Sequence, residues 1–275
     1  MNEPIIVALS GRKGSGKNTV AKHLIEYYLS NRVLSPDQWF EGVREKLVYE
    51  CSFADNLKEF CINTLGLSRE ACYGTEEEKN APTHYRWENA SPFFAWKFGT
   101  REVAHYHHGE VKVVRNAKES TSEELRKVFY SSAFDQVNNE VRVMKGQRTG
   151  FMSGRDIMQL FGTELIRETF GNVWAAATIR SIKRSGAEFA VITDNRFPNE
   201  IAAVLGEPKG YIIRLTRSPY GYGDKHPSEA SLDDYDWNQE RCYVVQNDEM
   251  SLKAQDQAVE EIMKVILSHN SNKID

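Results

Sequence analysis

The sequence is short of the features that would place it in several large protein classes. It has four cysteines in 275 residues, Cys51, Cys61, Cys72 and Cys242, and no two of them form a C-x-x-C pair. A zinc ribbon and a dithiol redox motif are therefore disfavoured, and a disulfide scaffold is not expected at this length, which leaves reduced thiols in a cytosol-like compartment as the simpler reading. No apolar run approaches the ~20 residues needed to span a bilayer. Residues 1–10 carry no basic run ahead of their apolar stretch and do not read as a signal peptide. A dominant charge sign is also lacking: 35 basic against 39 acidic side chains give a net charge of −4, with no general attraction to nucleic acid or to an anionic membrane. There is no internal repeat and no low-complexity tract. What remains is ordinary globular composition, 40% hydrophobic and 27% charged, enough for a core in one large domain or one domain with a sizeable insertion.

Ile5-Ile6-Val7-Ala8-Leu9 is a continuous apolar, β-branched run, the pattern of a strand buried on both faces of a parallel sheet. A helical pattern follows, with Val20, Leu24, Tyr27 and Tyr28 on one side. Further strands are expected at 46–53, 187–193, 210–216 and 242–246, with a short helix over 56–65 and an amphipathic helix over 251–268 that carries Val259, Ile262, Met263 and Ile266 on its apolar face. Strands alternating with helices predict an α/β fold: a mostly parallel five-stranded sheet with helices on both faces, in three layers with right-handed crossovers. The stretch 75–150 breaks the rhythm. It is rich in aromatics (Tyr85, Trp87, Phe93, Phe94, Trp96, Phe98) and holds a hairpin, 101–107 and 111–115 turning near Gly109, then a charged helix over 122–137. It reads as an inserted, aromatic-rich subdomain in a single domain spanning 1–275, and 217–230 reads as a Gly-rich, lid-like loop.

Between the first strand and the first helix stands Gly11-Arg12-Lys13-Gly14-Ser15-Gly16-Lys17-Asn18-Thr19. Gly11, Gly16 and Lys17 have the spacing of G-x-x-x-x-G-K-[ST], the phosphate-binding P-loop. Glycines let backbone N–H groups wrap a β-phosphate, the helix start aims its positive dipole end at the same anion, and Lys17 reaches the β/γ oxygens. A glycine-rich turn without a ligand is the alternative, and the strand before and helix after argue against it. Asn18 replaces the Ser or Thr whose hydroxyl would hold Mg²⁺; an amide oxygen can ligate a hard cation, less well than a carboxylate.

These residues resemble the bacteriophage deoxynucleoside monophosphate kinases, a branch of the P-loop nucleoside monophosphate kinases. The loop is similar to G-x-[KR]-x-S-G-K-D-T, with Asn18 for Asp. Four further segments follow in order: Ser52-Phe53-Ala54-Asp55-Asn56-Leu57-Lys58 resembles S-F-A-D-P-L-K, with Asn56 for Pro; Arg155 to Glu164, with Arg167 and Trp174 beyond, resembles R-x-x-L-Q-x-x-G-T-E-x-x-R; Asp194 to Glu200 resembles D-x-R-F-P-N-E; and Asp224 to Glu229 resembles D-x-H-P-S-E. The resemblance runs from residue 5 to about 250 and covers 75–150 only loosely. It implies ATP-dependent phosphorylation of deoxynucleoside monophosphates to diphosphates with Mg²⁺, in the cytoplasm (a host's, if phage-encoded), with small nucleotides as partners. It is compatible with a homodimer without fixing the oligomeric state. It also implies substrate contacts for Lys58 and Glu164. A different P-loop kinase, acting on dephospho-coenzyme A, is the runner-up; a nucleotide-binding protein without catalysis, with Asn18 as its clue, is the third reading.

Phosphoryl transfer is mostly positioning and charge neutralisation, and Arg grips phosphate through two N–H groups. Arg155 and Arg167 lie twelve apart on what is expected to be largely one helix; Gln159 shares the face of Arg155 and offers both donor and acceptor to a base edge. Asp194, at the end of the third strand, is placed to hold Mg²⁺ through water, alone or with Asn18, and Arg196 to reach the transferred phosphate; a helix cap and a surface Arg are the alternative. Asp55 can orient the acceptor or cap the helix from Asn56. Arg217, more than Arg214, can reach the phosphates. His226 is read as structural. Trp87 can stack a base or form the core of the insertion. His105, His107 and His108 have no acidic or cysteine ligand at metal spacing and read as an exposed hairpin.

Overall fold

A computed structural model describes residues 3–31, 47–90, 101–107, 110–115, 141–145, 150–219 and 231–271. The expected charged helix over 122–137, the aromatics Phe93, Phe94, Trp96 and Phe98, the turn at Gly109 with His108, and the Gly-rich loop over 220–230 with His226 fall outside the described residues. In chain order the elements are β1 (Ile5–Ser10), α1 (Lys17–Ser30), β2 (Val48–Cys51), α2 (Asp55–Asn63), α3 (Arg69–Tyr73), α4 (Glu76–Asn80), β3 (Pro82–Arg86), β4 (Arg101–His107), β5 (Glu110–Arg115), β6 (Val141–Lys145), β7 (Phe151–Ser153) and α5 (Gly154–Gln159). A π-helical stretch, Leu160–Arg167, and one turn, Glu168–Phe170, continue α5. Then come α6 (Val173–Ser185), β8 (Phe189–Asn195), α7 (Pro198–Leu205), β9 (Gly210–Leu215), β10 (Cys242–Val245) and α8 (Leu252–Ser271).

The chain packs as two compact units, residues 1–60 with 166–275, and residues 61–165. The first holds a five-stranded sheet in the order β10-β9-β1-β8-β2, all parallel. β1 lies at its centre and is buried along its whole length, which is why its sequence is a continuous apolar run rather than an alternation. Alternate residues feed two cores. Ile5, Val7 and Leu9 pack with Val20, Leu24 and Tyr28 of α1 and with Val259, Met263 and Ile266 of α8. Ile6 and Ala8 pack on the opposite face with Ala175, Ile179 and Ile182 of α6 and Ile201 and Val204 of α7. Helices cover both faces, the α/β architecture the alternating pattern predicts.

The consequence for function lies at the ends of β1 and β8. These neighbours run parallel, yet β1 leads to α1 on one face and β8 to α7 on the other. Their outgoing loops therefore diverge, and such a switch point opens a crevice beyond the carboxyl ends of the strands.

The second unit holds an antiparallel pair, β3 with β7, and an antiparallel three-stranded sheet, β5-β4-β6. The expected hairpin 101–107/111–115 is the β4–β5 pair, from Glu102 opposite Arg115 to His107 opposite Glu110. α3, α4 and α5 pack on one another, closely enough that a Cβ on Gly154 would lie 2.3 Å from the Ala71 carbonyl oxygen. α4 opens with a Thr75–Glu78 capping box and α5 with a Ser153–Asp156 box. Arg155 and Arg167 lie, as expected, on one largely continuous helical stretch, which is not α-helical throughout. The turns widen to π geometry after Gln159, so i,i+4 spacing places Gln159 under Arg155 only within α5. Arg155 belongs to the second unit and Arg167 to the first.

Candidate active site

The loop between β1 and α1 has the backbone a phosphate cradle needs. Gly14 and Gly16 adopt φ of +78° and +98°, which a side chain would strain. α1 starts at Lys17 with no side-chain cap and no acidic residue in its first turn, so its N–H groups and dipole end are left to an anion. Lys17 folds back over the loop, its Nζ donating to the carbonyls of Gly11 at 2.7 Å and Arg12 at 2.9 Å. Ser15 is fully buried and its Oγ has no hydrogen-bond partner. Lys13, Gly14, Asn18 and Thr19 are exposed on the loop and the first turn of α1, where a phosphate chain and its cation can meet them.

Arg12, within the loop expected to bind nucleotide, has its side chain committed inside the protein. Its guanidinium is only 5% exposed and is engaged by both oxygens of Asp233, so it anchors the loop to the chain just before β10. A second anchor was not legible from any motif. Asn247, 1% exposed, donates from Nδ2 to the Ser15 carbonyl at 2.9 Å and to Gln255 Oε1 at 2.7 Å, and its Oδ1 accepts the Arg217 N–H at 2.9 Å. The Arg217 side chain is exposed. Arg214 is half-buried, donates to Ser10 Oγ at 3.1 Å and lies over the Trp237 ring at 5.1 Å.

At the end of β8, Asp194 accepts the N–H groups of Phe53 at 2.6 Å and Ala54 at 3.3 Å, tying β8 to the loop after β2. Desolvation pushes its carboxyl above the ordinary range, against those two N–H groups and the charges of Arg196 and Lys58. Each oxygen keeps a lone pair for a metal-bound water. The next residue, Asn195, pairs in register with Ser10; it is 1% exposed, and neither of its amide atoms has a partner. Asp55 lies in the first turn of α2, where it accepts the Ser52 N–H at 2.6 Å and pairs with Lys58 at 3.4 Å, so Lys58 stands beside the Asp194 loop.

Glu200, 2% exposed on α7, organises the turn after β8. It accepts the N–H groups of Arg196 at 2.8 Å and Phe197 at 3.1 Å, and the Arg167 guanidinium at 3.2 Å. Arg167 stacks on the Phe197 ring, 3.9 Å from its centroid. Its Nε and Nη1 are buried without partners in the protein, so those donors suit phosphate oxygens. Burial pushes Glu200 up to about 7 despite these donors, with the Asp194 charge adding to the rise.

In the second unit Arg155 is 48% exposed and pairs with Glu76 at 2.6 Å. Gln159 and Glu164 are half-buried. The base-stacking surface expected of Trp87 is corrected: the indole is 1% exposed and serves as core, with no face presented to a base. Thus the first unit brings together the loop 11–19, Asp194, Arg196, Arg167, Asp55 and Lys58, while Arg155, Gln159, Glu164 and Trp87 belong to the second unit. Sequence reasoning missed Asn247, Gln255 and Asp233, which no motif marks. Glu200 lies within the D-x-R-F-P-N-E-like segment, whose pattern alone assigns it no role.

A P-loop at the central strand of a parallel sheet, with an acid at the neighbouring strand end and arginines beside it, defines a phosphoryl-transferring P-loop kinase fold. The chain belongs to the deoxynucleotide monophosphate kinase family, whose model matches residues 5–255. It is similar to a protein of Acanthamoeba polyphaga mimivirus with a provisional deoxynucleotide monophosphate kinase name, at 27% identity over 83% of this chain and 82% of that one. It is also similar to the deoxynucleoside-5'-monophosphate kinase of Escherichia phage T5, at 27% identity over 71% of this chain and 70% of the phage protein. Neither relative favours the dephospho-coenzyme A reading. No helix among the described residues is long and apolar enough to cross a membrane.

Proposed function

We propose that the protein transfers the γ-phosphate of ATP, with Mg²⁺, to deoxynucleoside monophosphates. The observation that carries this reading is the uncapped start of α1 beneath the glycine loop, in a chain of this family, with Asp194 and the unpaired donors of Arg167 in the same unit. The loop N–H groups and Lys17 bind the donor β/γ-phosphates. Arg167, held against Glu200 and Phe197, and Arg196 neutralise charge on the transferred group. Asp194 and Asn18 would hold Mg²⁺, which would supply positive charge to neutralise the phosphates during transfer; Mg²⁺ sites commonly take one or two protein ligands plus phosphates and water. The acceptor falls to Asp55 and Lys58; Arg155, Gln159 and Glu164 are assigned to substrate on the resemblance alone. Placement in a cytoplasm belongs to the same proposal and rests on the resemblance, which is compatible with a homodimer.

The test is an ADP-release assay with ATP, Mg²⁺ and each of dAMP, dGMP, dCMP and dTMP, beside Lys17→Ala. Turnover on at least one acceptor, lost in the variant and dependent on Mg²⁺, is expected. Intact protein that binds ATP and turns over none of the four would sink the reading.

A further inference from the structure

We infer that Asn247 is a positioning residue for the donor nucleotide: it sets the orientation of one phosphate-loop peptide, and so the aim of the Gly16 N–H. The inference rests on the donor half of the proposed function.

The Ser15–Gly16 peptide is trans, as every described peptide is, so its C=O and N–H point in opposite directions. Asn247 Nδ2 holds the Ser15 carbonyl on the buried side of the loop at 2.9 Å. The Gly16 N–H is thereby turned outward, at the start of α1 where the loop receives an anion. This peptide needs a holder. Gly16, at φ +98°, has no side chain to resist rotation of the peptide plane, and the buried Ser15 Oγ makes no hydrogen bond that would fix the residue locally.

The orientation of the Asn247 amide is itself determined. The Ser15 carbonyl can only accept and the Arg217 N–H can only donate, so Nδ2 faces the loop and Oδ1 faces Arg217. The second Nδ2 hydrogen goes to Gln255 Oε1 at 2.7 Å. Asn247 and Gln255 are 1% and 4% exposed, so solvent cannot substitute for either partner. Gln255 also stands against the loop: a Cβ on Gly16 would lie 3.5 Å from its Oε1. One buried amide thus joins the phosphate loop, the chain leaving β9 and the first turn of α8. An apolar residue at 247 would fill the space and leave the Ser15–Gly16 peptide free to turn.

The test uses the full chain and measures ADP and dNMP binding by calorimetry, with melting temperature, for Asn247→Leu and Gln255→Leu. Loss of a hydrogen bond to a charged group predicts that ADP binding weakens about 10- to 100-fold in Asn247→Leu. In Gln255→Leu, which keeps the bond to Ser15, it weakens by less than about tenfold. Binding of the preferred dNMP stays within about twofold in both, since its contacts lie elsewhere. In turnover, KM for ATP rises while KM for the acceptor holds. ADP binding within twofold of the parent in folded Asn247→Leu overturns the inference. A parallel loss of ADP and dNMP binding with a collapsed melting temperature in both variants also overturns it, because the pair is then only structural. If the parent binds ADP but phosphorylates no deoxynucleotide, the kinase reading fails while this inference still stands or falls on the ADP titration.

Discussion

Glu200→Gln is the sharpest test of the turn after β8. The substitution is near-isosteric, so packing is conserved and the effect is polar. The Glu200 oxygen that takes the N–H groups of both Arg196 and Phe197 must be the amide oxygen in the variant. The amide NH₂ then faces the Arg167 guanidinium, donor against donor, where a carboxylate oxygen accepted at 3.2 Å. Removing one partner of a buried ion pair costs about 3–5 kcal/mol. Arg167 keeps 23% of its side chain in solvent and burial pushes Glu200 up to about 7, so Glu200 is only partly ionised at neutral pH. The variant carries the neutral form permanently, so its cost is that of the donor-against-donor contact alone, about 1–3 kcal/mol, a fall of roughly 2–10 °C in melting temperature for a chain of this size. The same pair gives a pH signature. Between the ordinary carboxyl value of 4.5 and about 7, the folded protein keeps a proton that the unfolded chain has released. The Glu200 contribution to stability is therefore full below 4.5 and is lost as pH rises through about 7. Calorimetric melts across that window, on parent and variant, read both effects. With Arg167 released, kcat should fall about 10- to 100-fold, because Arg167 then meets the transferred phosphate in the wrong orientation. An unchanged melting temperature with the pH slope intact would refute the placement of Glu200. A normal kcat in a destabilised variant would refute the role given to Arg167.

Other expectations are more local. Asp233→Ala leaves the 5%-exposed Arg12 guanidinium without its carboxylate and should destabilise by about 2–4 kcal/mol and weaken ADP binding; denaturant melts and ADP titration check it. Gly154→Ala drives a methyl to 2.3 Å from the Ala71 carbonyl and should cost about 1–3 kcal/mol, seen as protease sensitivity within residues 61–165 ahead of the rest of the chain. Trp87→Ala removes a buried indole and should cost about 3–5 kcal/mol; a stable variant with raised dNMP KM alone would restore the stacking role. Asn18→Asp supplies a stronger ligand for a hard cation, so the Mg²⁺ concentration for half-maximal turnover should fall severalfold; no change would take Asn18 away from the metal.

The sheet was legible because its signal is local. Strands buried on both faces must be written as unbroken apolar runs, and each of the five expected strands is present within a residue or two. The phosphate loop was legible for a similar reason: positive φ and close anion approach admit only glycine, so backbone geometry is spelled in residue type. The π-helical turns after Gln159 leave no such mark, since one extra residue per turn is imposed by packing rather than by composition. Partners across the chain were equally hidden. Arg12 with Asp233, Arg167 with Glu200, and Asn247 with Ser15 join residues far apart in sequence, and any of these side chains alone reads as a polar surface residue. Burial decides otherwise: once desolvated, a guanidinium, a carboxylate or an amide must find a partner. The sequence by itself determined the fold and the glycine backbone of the loop proposed to bind phosphate. The tertiary structure decided which polar groups remain available to substrates and which are committed to holding the loop in shape.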